Sequence, residues 1–190
     1  MIKSIIVFHF LFLFIMLPAH ALVEKKLFSL EKSYNAENVL LIHTQVDDEC
    51  RFGVSQNNEY VDFYWLMNGT DRKEVHPTIR SQVKTRVSFE SINGPRDSFR
   101  VDLNDLKEIS HDLESTNIEV RSFKENDLCK VESLIKLGAS GHYRTLNLNR
   151  TYCEVKTNII GIPSGCKFID LEGVDVETGE AIKVRFKEKK

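Results

Sequence analysis

The chain has 190 residues, with 26 Lys and Arg against 28 Asp and Glu, and a formal net charge of −2. That near-neutral, interspersed charge lacks the basic surplus of a nucleic-acid binder. The length suits one domain with a substantial core.

Met1-Ile2-Lys3 is a short cationic start, and Ile5 to Leu17 is apolar except for His9. Pro18-Ala19-His20-Ala21 follows, and Ala19 and Ala21 fit a small-x-small cleavage pattern. We read residues 1–21 as a secretory signal peptide cleaved after Ala21, with a single β domain over 22–190. The apolar run is short for a bilayer, and no later stretch is long enough to span one. The expected location is therefore exported, periplasmic or secreted, with no membrane span after cleavage.

Val23–Leu30 opens the domain. Asn38–Gln45 is apolar at both parities, as in a strand buried on two faces. Asp47-Asp48-Glu49 is an acidic turn without the offsets of a calcium loop. Glu59–Met67 carries the only Trp, and Val61, Phe63, Trp65 and Met67 share one parity. This pattern predicts a strand at the centre of the core. Asn68-Gly69 is a hairpin turn dipeptide. Pro77 to Gln82 allows one helical turn. Val83, Thr85, Val87 and Phe89 alternate with polar residues, as do Phe99, Val101 and Leu103.

Asn104 can cap a helix whose stripe is Leu106, Ile109 and Leu113, so a short helix is expected over Asp105–Leu113. Strands are then expected at Ile118–Phe123, Cys129–Leu137, Tyr143–Leu148, Thr151–Ile160, Cys166–Leu171 and Ala181–Lys187. Turns are expected at Glu172-Gly173 and Glu177–Glu180, and a break at Gly161–Gly165. The fold class is all-β: a single antiparallel β-sandwich or barrel of about ten short strands with one short helix.

Cys50, Cys129, Cys153 and Cys166 make an even set in an exported chain, which implies disulfides. Cys153 and Cys166 flank the Gly161–Gly165 break and can meet on neighbouring strands. Cys50–Cys129 then follows by elimination, while pairings of Cys50 with Cys153 or Cys166 stay open. No C-x-x-C and no suitably spaced His point to zinc, so no metal and no cofactor are expected.

Val61-Asp62-Phe63-Tyr64-Trp65-Leu66-Met67 resembles the V-x-V-Y-W-I-M strand of an uncharacterised bacterial family, domain of unknown function 4833. Phe28–Ser33 and Val39–Ile42 resemble its opening strands, and Lys167–Glu180 resembles its closing I-D-L-x-G-x-D-x-x-T-G segment. The segment after Trp65 departs from that family's helical stretch. The resemblance implies a bacterial protein, carries over no activity and assigns no residue a role.

No nucleophile elbow, H-E-x-x-H or Gly-rich phosphate loop is present. The ligand-binding candidates are His43, inside an apolar strand, and His142-Tyr143-Arg144, an acid/base type beside a phenol and a guanidinium that together could grip an anion. A core hydrogen bond is the ordinary role for His43, and strand entry for the other three. Two functions follow. One is a non-catalytic binding or interaction module whose partner is an envelope protein or a small ligand. The other is an enzyme with a site assembled from separate strands around His43 or His142, disfavoured by the lack of local catalytic motifs.

Overall fold

The computed structural model describes residues 22–33, 38–53, 60–77, 87–89, 98–103, 106, 116–138 and 143–187. Among these residues twelve strands form one sheet. They are β1 (Val23–Lys32), β2 (Asn38–Val46), β3 (Phe52–Gly53), β4 (Asp62–Met67), β5 (Asp71–Glu74), β6 (Val87–Phe89), β7 (Ser98–Leu103), β8 (Asn117–Glu125), β9 (Leu128–Leu137), β10 (Arg144–Thr157), β11 (Pro163–Asp175) and β12 (Ala181–Lys187).

The sheet runs β5-β4-β2-β1-β10-β9-β8-β7-β6, with β3 on β2 and with β11 and β12 added beyond β10. It is organised on β10, the longest strand at 14 residues. The first part of one β10 edge, Arg144 to Asn147, pairs with β9. Further along, Arg150 to Cys153 pairs with β1. β11 pairs along the other edge of β10. Two wings therefore leave one strand, and they meet again. Phe52 of the first wing packs edge-on against Phe99 of the second, with ring centroids 4.8 Å apart. The Cys50–Cys129 disulfide ties the same wings together, and the Ser122 hydroxyl donates to the Cys50 carbonyl.

The all-β class is observed. The expectation of an antiparallel sheet needs correction, because β1 and β10 run parallel. Among the described residues the sheet is also not closed into a barrel, since the strand path ends at β5 and β6. Strands joined by tight hairpins must be antiparallel, but β1 and β10 are separated by most of the chain and are under no such constraint. The expected helix over Asp105–Leu113 lies outside the described residues except at Leu106, which is fully buried.

Trp65 does not centre the core. Val61 and Phe63 are buried as the alternation predicts, but Trp65 is only partly buried. β4 is one strand from the edge, so its far end has little to pack under. Phe28, Phe63 and Phe99 are the largest wholly buried side chains. Leu27 and Phe28 are both buried despite being neighbours, because a register slip between Lys26 and Phe28 turns successive side chains inward.

Glu172-Gly173 is likewise not a turn but mid-strand in β11. Gly173 lies opposite Leu148, just before a slip in β10 that leaves out Asn149. A Cβ at Gly173 would stand 2.1 Å from the Asn147 carbonyl oxygen, so glycine is needed there for close approach. Asn68-Gly69 does make the β4–β5 hairpin, with both residues at positive φ. Among the described residues no helix is long and apolar enough to cross a membrane.

Candidate functional site

Both expected disulfides are formed. Cys50 and Cys129 lie 5.2 Å apart at Cα, and Cys153 and Cys166 lie 5.6 Å apart. The second pair works because β10 and β11 form a hairpin that carries the two cysteines on neighbouring strands. Such bonds persist in oxidising compartments, which is consistent with a periplasmic or extracellular location.

His43 sits on β2 with 2% exposure. Its Nδ1 is 3.0 Å from Glu24 Oε1 of β1. Its ring stacks on Tyr64 of β4 at 3.9 Å and 14°. Arg72 of β5 sets its guanidinium carbon 3.2 Å from the same ring and donates to Glu24 Oε2 at 2.8 Å. Four adjacent strands thus contribute one stacked group closed by a carboxylate. Burial, then the Glu24 charge, pushes the Tyr64 phenol up, so it stays neutral at physiological pH. Glu24 thus faces both the His43 ring and the Arg72 guanidinium, and Tyr64 packs against both His43 and Arg72.

Arg144 and Tyr143 do not join His43. Arg144 Nε is 2.8 Å from Asp175 Oδ2. Asp175 also accepts the amides of Glu177 and Thr178, so it fixes the turn before β12. The Thr178 amide foremost, supported by Arg144, holds the Asp175 carboxyl below its usual range. Arg144 thus braces the turn before β12 through Asp175. Tyr143 is exposed, and His142 lies outside the described residues.

An open trough of about 580 Å³ runs over Ser29, Glu31, Arg150, Glu172 and Lys183. Arg150 bridges Glu31 and Glu172, and Lys183 bridges Glu172 and Asp170. Lys183 first, then Arg150, holds Glu172 below the usual carboxylate range. These ion pairs form a ladder that seams β1, β10, β11 and β12, and Lys26 also lines the trough. His43 does not line it. Among the described residues no group of three or more His, Cys, Asp or Glu could hold a metal ion.

The remaining feature is the tip of the β10–β11 hairpin. β1 pairs with β10 only as far as Cys153, and β12 pairs with β11 only as far as Phe168. Among the described residues β10 and β11 beyond those points pair only with each other, and the Val155 amide donates to Ser33 Oγ. Ile159 is 106% exposed, Ile160 77% and Ile162 53%. Three neighbouring isoleucines at a tip differ from the scattered apolar residues of an ordinary surface. The loop is closed by its own hydrogen bonds. Asn158 Oδ1 accepts the amides of Ile160 and Ile162, and the Gly161 amide donates to the Asn158 carbonyl. The sequence expectation puts Ile159 and Ile160 at the end of the extended run Thr151–Ile160 and Ile162 in the Gly161–Gly165 break. The signal of the tip was Ile-Ile-Gly-Ile-Pro, an apolar cluster where a turn would ordinarily be polar.

No protein-family model, curated protein or solved structure matches the chain.

Proposed function

We propose that the protein is an exported, non-catalytic interaction module of the bacterial cell envelope, a β-sandwich that presents the β10–β11 hairpin tip to a partner surface. The observation that carries this reading is the exposure of Ile159, Ile160 and Ile162 on a hairpin cross-linked below its tip by Cys153–Cys166. A rigid apolar projection loses little conformational entropy on docking. The apolar start of the chain and the two disulfides support export, with the periplasm as the expected space. The resemblance to domain of unknown function 4833 belongs to the same proposal and adds no activity.

The test is native fractionation of the envelope with a variant carrying Ile159→Ser, Ile160→Ser and Ile162→Ser. The wild-type protein is expected in association with envelope material and the variant as a free monomer of unchanged melting temperature. Identical fractionation of the two would overturn the reading.

An enzyme centred on His43 has one observation in its favour, the Glu24 carboxylate 3.0 Å from Nδ1. The ring is nearly wholly buried, stacked on Tyr64 and outside the trough, which favours a structural role.

A further inference from the structure

Resting on that reading of the hairpin tip, we infer that its partner is an anionic lipid surface, into which Ile159, Ile160 and Ile162 insert while Lys156 and Lys167 meet the headgroups. Three observations converge on this. The first charged residue met on either side of the tip is a lysine, Lys156 on β10 and Lys167 on β11. The segment between them holds no acid, and the nearest one, Glu154, accepts from the Tyr152 hydroxyl and lies 3.9 Å from the Lys167 ammonium. Apolar tip and cationic collar match the acyl boundary and the headgroup layer in that order.

The second observation is the backbone. A loop entering an apolar medium must satisfy its own amides. Among the described residues the amides of Asn158, Ile160, Gly161 and Ile162 donate within the loop, Pro163 has none, and the Ile159 amide is the one left without a loop acceptor. The third is size. A stable protein interface takes about 800 Å² from each partner. A tip of three isoleucines is small for that, but it suits a shallow insertion that leaves the sheet outside the bilayer.

The experiment uses the purified mature chain with both disulfides intact. It is sedimented with vesicles of phosphatidylcholine alone and of phosphatidylcholine mixed with phosphatidylglycerol. The wild-type protein is expected to pellet with the mixed vesicles and more weakly with the neutral ones. The triple Ile→Ser variant should lose on the order of a hundredfold in affinity for both. A Lys156→Glu, Lys167→Glu variant should lose about tenfold on mixed vesicles only, as should the wild type at high salt. Equal pelleting of the triple variant and the wild type would overturn the inference. So would a wild-type protein that pellets with neither vesicle. If that protein still lost envelope association on tip substitution, the tip would dock on a protein and only the lipid partner would be wrong.

Discussion

Arg185 on β12 grips Asp170 on β11 at two points, Nε to Oδ1 at 2.6 Å and Nη2 to Oδ2 at 2.7 Å. Asp170 is 1% exposed and also receives Lys183 at 3.0 Å. Arg185 first, with Lys183, holds the carboxyl below its usual range against the effect of burial. A carboxylate lowered on folding stabilises the fold above its unfolded pKa of about 4. That contribution is lost as pH falls through the folded value. Because both cations are largely solvated, Asp170→Asn should cost only about 1–2 kcal/mol at pH 6. Urea unfolding across pH should show the difference from wild type shrinking below about pH 4. A difference that stays constant down to pH 2 would count against the pairing.

Gly173→Ala should be among the most damaging single-methyl changes, at about 3 kcal/mol. The added Cβ meets the Asn147 carbonyl, a backbone atom that cannot rotate away. Urea denaturation checks it. An unchanged midpoint would mean that the slip at Asn149 relaxes freely.

The two disulfides should differ in weight. Cys50–Cys129 spans 79 residues and Cys153–Cys166 spans 13. Loop entropy gives losses of about 4 and about 3 kcal/mol on replacing each pair by serine. Removing Cys153–Cys166 should also weaken tip-dependent association, since the strands below the tip loosen; removing Cys50–Cys129 should not. Unfolding curves and the vesicle assay of the two double variants would separate these effects.

The His43 stack is predicted to hold the first wing together and nothing more. His43→Ala should cost about 2–4 kcal/mol, because it uncovers Tyr64 and leaves a cavity beside Glu24. Vesicle and envelope association of the folded variant should match wild type. Loss of association at full stability would return His43 to the functional surface.

The parts of this fold that were legible are those written in local pattern. Phe99, Val101 and Leu103 alternate and are buried, and Asn68-Gly69 turns β4 into β5. Cys153 and Cys166 pair because a turn separates them by a short distance along one hairpin. The parallel contact of β1 with β10 has no local signature, since it joins segments separated by most of the chain. Gly173 reads as a turn residue in sequence, and only the approach of Asn147 explains it in a strand. Trp65 carries the largest apolar area but lies toward an edge, which alternation cannot reveal. The candidates His43 and Arg144 were visible as residue types, yet what faces them, Glu24 and Asp175, comes from elsewhere in the chain. The isoleucine tip was present in sequence, but its exposure depends on how far β1 and β12 extend along the hairpin.

The most direct measurement places an environment-sensitive nitrobenzoxadiazole label at Ile160→Cys, with a control label at Glu119→Cys on the exposed face of β8. Both proteins are then mixed with native envelope membranes. The account predicts a blue-shifted, brighter emission from the Ile160 position, as the tip leaves water, and no change from the Glu119 position. Water-like emission from both labels in the presence of membranes would contradict it.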